Sequence, residues 1–421
     1  MAQFLSTLRR FLTRHPKAGA YEPLNTNFSR FEEGDVVIVN GRHPLLTAPL
    51  GKNKSTGVSR GSIEHNDIIG KAPRDLVQAR KGPQYRITFP TLEEYATLSP
   101  RLVTPVYPAD ASLIVSLLDI HVPSPVNDGM LGEPLEILEA GTGHGSLTLH
   151  LSRAINGANS CPPRIPRRLQ RHTVSQNDNK SVLKNEESLV SGGIEPSQQA
   201  WNAWRSQRRA IIHTIEVSAK HSTHAEKIVR GFRRGMYAGN VDFYVSSVEE
   251  WIENENRRRK KPLLSDTPKP YLSYVILDMP SAHLRIPNVS PILKVDGLLA
   301  VFMPNVTQIG DCVKIIKDKR LPLRMEKAVE LGTGISNGRL WDIRMAIRRS
   351  KPAPASEEAE KTQPGKEKNE EVSDITSQDA VAAIGPEEPR AGDPVLVCRP
   401  KVGDRIVGGG FIGLWRRIAE E

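Results

Sequence analysis

Three places in the chain combine residue types and spacing suited to chemistry on a bound small molecule. The first is Glu139-Ala140-Gly141-Thr142-Gly143-His144-Gly145-Ser146-Leu147-Thr148. The apolar run Leu135-Glu136-Ile137-Leu138 precedes it, and Leu147-Thr148-Leu149-His150-Leu151 continues with helical spacing, so the glycines fall on a strand-to-helix turn. Alternate glycines clear side chains from a stretch of backbone that must touch a ligand, and they take positive φ at little cost. The second place is Glu216, which closes the strand-like run Ile211-Ile212-His213-Thr214-Ile215. A carboxylate there can accept from two hydroxyls at once. The third is Leu277-Asp278-Met279-Pro280, where a further strand ends. Open α/β sheets bind ligands outside such carboxyl ends, and Pro280 fixes the turn that presents Asp278. Taken singly, each has a plainer reading, as a tight turn, a surface acid or a turn cap.

Only an ordered sheet could bring these places together. Strand-like runs at Ile211 to Glu216, Val241 to Val245, Tyr274 to Asp278 and Leu298 to Phe302 alternate with helical patterns, which predicts a parallel sheet wrapped by helices. Residues 31–105 read differently. Gly34-Asp35-Val36-Val37-Ile38-Val39 and Tyr85-Arg86-Ile87-Thr88-Phe89 are short alternating runs among turn residues, which predicts a small β-rich N-terminal domain. The α/β domain is then expected over residues 106–349 plus 394–418, with Pro394 to Cys398 and Gly410 to Trp415 as strands returning to its sheet. Two polar stretches interrupt the rhythm, at 157–200 and 351–393, the second acid-rich. Both are expected to be disordered inserts.

Composition narrows the class. The 421 residues exceed one typical domain, and no apolar run is long enough to span a bilayer. Three separated cysteines, Cys161, Cys312 and Cys398, argue against a disulfide framework, a zinc site or a thiol nucleophile. A net charge of +10 favours a polyanionic partner, and arginines gather at 164–168, 205–209 and 257–259. Residues 1–20 contain Arg9, Arg10, Arg14 and Lys17 but no acid, with Phe4, Leu5, Leu8, Phe11 and Leu12 on one helical face. This is the make-up of a mitochondrial transit peptide, so the expected location is the mitochondrial matrix, with the nucleus as the alternative.

The glycine spacing is not the G-x-G-x-x-G of dinucleotide binders. G-x-G-x-G behind an acidic strand end resembles motif I of S-adenosylmethionine (SAM) methyltransferases. Further stretches make the resemblance specific: Phe31-Glu32-Glu33-Gly34-Asp35-Val36-Val37, Arg60-Gly61-Ser62-Ile63-Glu64-His65-Asn66-Asp67-Ile68-Ile69-Gly70, Pro90-Thr91-Leu92-Glu93-Glu94-Tyr95, and Arg101 through Tyr107-Pro108-Ala109-Asp110. With the glycine turn and Leu277-Asp278-Met279-Pro280, they are similar to the catalytic subunit of the tRNA (adenine-58-N1)-methyltransferase family.

That resemblance implies a seven-stranded Rossmann-like sheet with a small β-rich N-terminal domain, forming N1-methyladenosine in the T-loop of tRNA. SAM is the implied cofactor and tRNA the implied partner. The implied assembly is a homotetramer, or a heterotetramer with a non-catalytic relative. By position, SAM contacts fall on Val106, Gly141, Thr142, Gly143, His144, Gly145, Ser146, Leu147, Glu216, His221, Ser247 and Asp278, and catalysis rests on Asp278. No metal is implied.

The sequence also departs from the family pattern. Thr104 stands for a glutamine, His144 for a small serine, and Ser247 for an acid that Glu249 or Glu250 could replace. Ser281-Ala282-His283 stands where an aromatic is expected, and Gly408-Gly409-Gly410-Phe411 where a His-Thr step is usual. Two other readings follow: a catalytically silent relative that binds tRNA or a partner subunit, and a methyltransferase for proteins or small molecules.

Overall fold

The computed structural model describes residues 23–122, 132–166, 171–173, 196–259, 269–332, 341–347, 394–400 and 409–419. The leader 1–20, the acidic stretch 351–393 and the centre of 157–200 lie outside the described residues. The chain forms two compact units, one of residues 1–333 with 406–421, the other of residues 334–405.

The larger unit opens with short strands: β1 (Ile38–Asn40), β2 (Leu45–Leu46), β3 (Ser55–Gly57), β4 (Ser62–Glu64), β5 (Leu76–Gln78) and β6 (Gln84–Thr88). Four of them form an antiparallel sheet in the order β2-β1-β6-β5, and β3 pairs with β4. In β6 the exposed Gln84 and Arg86 alternate with the buried Tyr85 and Ile87, the period of a half-buried strand. The inward residues pack on Phe31, Val37, Val39, Leu50, Ile63, Ile68 and Val77. Helix α1 (Leu92–Leu98) starts at a reciprocal Thr91–Glu94 capping box, and α2 (Pro108–Leu118) starts on a proline whose missing N–H costs nothing there.

The main sheet comprises β7 (Leu135–Ala140), β8 (Arg171–Thr173), β9 (Ala210–Glu216), β10 (Val241–Val245), β11 (Leu272–Leu277), β12 (Leu293–Met303), β13 (Leu323–Leu331) and, after the hairpin of the second unit, β16 (Gly410–Arg417). Its order is β13-β16-β12-β11-β7-β9-β10-β8. All neighbours pair in parallel except β16, which is antiparallel to both β12 and β13. Helices α3 (Ser146–Ile155), α4 (Pro196–Arg205), α5 (Ala219–Gly231), α6 (Val248–Arg259) and α7 (Val306–Asp318) complete the unit. Alternate strand residues feed two cores. Ile137, Ile212 and Ile276 pack with α2, α3 and α5, whereas Leu138, Ile215, Val275 and Leu277 pack with α6 and α7. Burial on both faces explains why these strands read as near-continuous apolar runs.

Two expectations are corrected, the disorder of 157–200 and the place of the strand at 394–398, while the seven-stranded main sheet is as expected. Beyond the seven strands an eighth short one, β8, pairs with β10 at the edge, and it comes from inside the stretch expected to be disordered. The flanks of that stretch are also ordered. Asn159 accepts from the N–H groups of Arg209 (2.7 Å) and Ala210 (3.1 Å) and donates to the Ala210 carbonyl, while α4 buries Trp201 and Trp204. Finally, β15 (Pro394–Pro400) does not join the main sheet. In the second unit it pairs antiparallel with β14 (Trp341–Ile347), Ile343 opposite Cys398, because each run supplies the other with a ladder of matching length.

The N-terminal domain is fastened to the sheet domain by two arginines. Arg234 donates to both carboxylate oxygens of Asp35 (2.7 and 2.8 Å) and to the carbonyls of Asn27 and Arg30. Arg233 lies over the rings of Phe28 and Phe89 at 5.2 and 5.0 Å. Both arginines hold left-handed backbone, with φ of 48° and 56°, a conformation kept only where surrounding contacts fix it.

Candidate active site

Strand order reverses at β7, which has β11 on one side and β9 on the other, so a crevice opens outside the carboxyl ends of these three strands. The three places singled out in the sequence meet there. The glycine turn follows β7, Glu216 ends β9 and Asp278 follows β11. Backbone bonds lock them in register: Gly141 N–H to the Ile215 carbonyl (2.9 Å), and Asp278 N–H to the Ala140 carbonyl (2.8 Å).

Gly141 has φ of +94°, and a Cβ there would lie 1.8 Å from the Asp278 carbonyl oxygen, so no other residue fits. The Gly143 N–H donates to one Glu216 carboxylate oxygen (3.2 Å) and the Ser218 N–H to the other (3.0 Å). Each oxygen keeps a lone pair, so the carboxylate can still accept two further donors such as vicinal hydroxyls. The Ser146 hydroxyl donates to the Val106 carbonyl (2.7 Å), tying the segment before α2 to the start of α3. Thr142 is buried with its hydroxyl 2.7 Å from that of Thr214, and Leu147 is buried in the core. The glycine turn free of side chains and the pre-set Glu216 carboxylate, with Asp278 beside them, match the polar groups of an adenosyl amino acid.

Asp278 is largely buried, and burial first, then the nearby Glu216 charge, pushes its carboxyl up to about 7. Beneath the turn, Glu139 is 1% exposed and accepts from Thr148 (2.7 Å) and Thr214 (2.8 Å) through one oxygen, while the other is buried without a partner. Burial pushes it to about 7 as well, with the Asp278 charge adding to the rise against the two threonine bonds. Glu139 was not among the site residues read from sequence. The available signal was an acid among apolar strand residues two positions before the first glycine.

The remaining expected residues have mixed fates. His144 is buried edge-on against His224, ring centroids 5.8 Å apart, and burial with the His224 charge holds it down at about 4, hence neutral at pH 7. His224 itself contacts the Pro100 carbonyl at 2.9 Å. His221 sits in the first turn of α5, where its N–H donates to the Ser218 hydroxyl (3.3 Å). Ser247 lies past the end of β10, but its hydroxyl accepts from Glu250 N–H (3.2 Å) while the Glu250 carboxylate accepts from Ser247 N–H (3.3 Å). That reciprocal cap occupies both Ser247 and Glu250, and Glu249 is paired with Arg285 (3.0 Å).

The arginine clusters at 205–209 and 257–259 are largely consumed by ion pairs. Arg205 and Arg208 both bind Asp242, and Arg259 binds Glu136 and Glu255, the latter also held by Arg258. Bonds from His213 and Arg259 overcome the burial that would raise Glu136, and hold it at about 2. Among the described residues no group of three or more His, Cys, Asp or Glu could hold a metal ion, and no helix is long and apolar enough to cross a membrane.

The sheet order, its single antiparallel strand and the crevice contents together define a Rossmann-like methyltransferase fold. A SAM-dependent O-methyltransferase from Thermotoga maritima shares it, with a TM-score of 0.50 at 16% identity, covering 93% of this chain and 96% of that one. No family model matches the chain. Two relatives from two strains of Thermus thermophilus, both named tRNA (adenine(58)-N(1))-methyltransferase TrmI, are each 24% identical over 288 residues, or 68% of this chain and 79% of theirs. Their name is that of the family which the motifs resemble.

Proposed function

We propose that the chain is the catalytic subunit of a SAM-dependent tRNA methyltransferase forming N1-methyladenosine at position 58 in the T-loop. The observation that carries this reading is the convergence of the glycine turn, Glu216 and Asp278 on one crevice at the switch point of the sheet. The named relatives and the N-terminal motifs supply the substrate.

SAM, when bound, supplies a methyl group already activated on a sulfonium. Adenine N1 forms the new bond to that carbon as the carbon–sulfur bond breaks, so the sulfonium charge passes to the purine and no proton need leave. The residues therefore act chiefly by position, and effective molarity contributes on the order of 7–11 kcal/mol. Glu216 holds the ribose hydroxyls. Asp278 accepts a hydrogen bond from the exocyclic amine, and its ionised form stabilises the cationic purine more as the charge develops. The target base has to leave its stack, which costs a few kcal/mol that contacts to the rest of the tRNA offset.

Mass spectrometry of nucleosides from an unmodified tRNA transcript incubated with the chain and SAM tests the reading. N1-methyladenosine confined to the T-loop is the expected product, and methyl groups elsewhere or none at all overturn it. A silent relative is disfavoured because Gly141, Glu216 and Asp278 are all retained in register. On composition we further infer import into the mitochondrial matrix through residues 1–20, which a cytosolic fluorescent fusion of that segment would refute. A tetramer is the inferred assembly, checked by light scattering.

A further inference from the structure

We infer that three turns of the N-terminal domain form a seat for the phosphate backbone of a folded RNA. This rests on the function proposed above and adds to it the surface that holds the substrate away from the crevice.

The turns lie at 41–44, 59–61 and 80–83. Two of them interlock. A Cβ on Gly61 would lie 1.9 Å from the Arg80 carbonyl oxygen, and one on Gly82 would lie 2.0 Å from the Arg60 carbonyl oxygen, so the two loops can meet only because both residues are glycine. The Arg80 N–H donates to the Ser62 carbonyl (2.7 Å) and fixes their register. The third turn rests on the same centre. Gly41 faces the buried Tyr85 ring, 3.3 Å from its would-be Cβ, and the Tyr85 hydroxyl is 3.3 Å from that of Ser59. Lys81 is held at φ of +60°, a left-handed conformation that an L residue adopts at a cost.

The construction sets Arg60, Arg80 and Lys81 on two turns in direct contact and Arg42 on a third that packs on the Tyr85 ring, all four exposed. Residues 36–63 and 76–92, which supply them, contain no Asp or Glu. Among the described residues Arg42, Arg60 and Lys81 form no ion pair, and Arg80 meets only Glu64, at 3.9 Å with its own side chain 77% exposed. This is the opposite of the arginines at 205–209 and 257–259, whose charge is consumed internally. Exposed, uncompensated arginines on rigid turns match phosphate oxygens, which accept their paired donors. The turns carry no large apolar side chain, which a lipid surface or a protein partner would ask for. The Arg234–Asp35 junction couples the domain to the sheet, so phosphates gripped here would be held at a set position relative to the crevice.

Anisotropy titrations of the full chain with a labelled tRNA transcript, across a range of salt, provide the test. R42E/R60E/K81E is expected to weaken tRNA binding at least tenfold while SAM affinity, measured by calorimetry, stays within twofold. The milder R42A/R60A/K81A should lower the slope of log affinity against log salt by about 2 to 3. Unchanged tRNA affinity and slope in both variants overturn the seat, even where the wild-type chain makes N1-methyladenosine. So does a defect confined to anionic phosphatidylserine vesicles. A wild-type chain that binds tRNA through these turns but yields no methylated adenosine leaves the seat standing and removes the function proposed for the crevice.

Discussion

At the scale of single residues, Asp278 carries two opposed demands. Its burial favours the neutral acid, yet the proposed role of stabilising a purine that becomes cationic requires the ionised form. A carboxyl at about 7 is partly ionised at neutral pH, so the charged form is present to meet that demand. D278N keeps the shape and loses the charge, so kcat is expected to fall about 10²–10³-fold with SAM affinity nearly unchanged, as single-turnover assays and calorimetry would show. A variant with normal turnover removes Asp278 from the mechanism. The same group makes stability depend on pH. Its carboxyl is raised from 3.8 to about 7 in the fold, so the stability it contributes is complete below pH 4 and is lost as pH rises through 7. Ligand-free wild type should lose more stability than D278N between pH 5 and 8 in urea titrations. Equal slopes would show that Asp278 is not held neutral. Gly141, Glu216 and Asp278 were legible in sequence because each ends a strand or opens a turn. Glu139 was harder to read, since its partners Thr148 and Thr214 meet it only through the helix and strand that fold over it.

At the scale of elements, the parallel strands were readable because both faces are buried and their apolar runs are continuous. What the pattern could not supply was pairing. The three residues of β8 are too few to show a period, and β14 with β15 reads like any other pair of short runs. The ordered flanks of 157–200 were missed for a related reason: polar composition conceals Asn159, whose amide is used in bonding the start of β9 and the side chain of Asn240. The junction between domains was also hidden, since Arg234 and Asp35 lie 199 positions apart. Arg234 is nearly buried and Asp35 is 2% exposed, so R234A strands an acid without its main partner. Loss of one member of a buried pair costs about 3–5 kcal/mol. Denaturant unfolding of R234A should show that loss, and D35N/R234A should recover part of it. Unchanged stability in R234A would mean that the junction contributes only packing.

At the scale of the whole molecule, what separates an enzyme from a silent relative is whether the cofactor pocket and the catalytic carboxyl are both functional in one chain. The two properties can be read independently. A ligand that binds only the folded chain stabilises it by about 2.7 kcal/mol at 100 times its Kd. The glycine turn and Glu216 are preorganised by bonds from the main chain, so wild type should show a SAM-dependent rise in Tm that grows with the logarithm of concentration. On the proposed mechanism Asp278 supplies charge rather than the cradle, so D278N should show nearly the same rise with no product. E216A, which deletes the acceptor proposed for the ribose hydroxyls, should lose most of the rise and its turnover together. A wild-type chain whose melting ignores SAM, while still binding tRNA, would be the silent relative, and the convergence of three strand ends on one crevice would then be a relic of the fold.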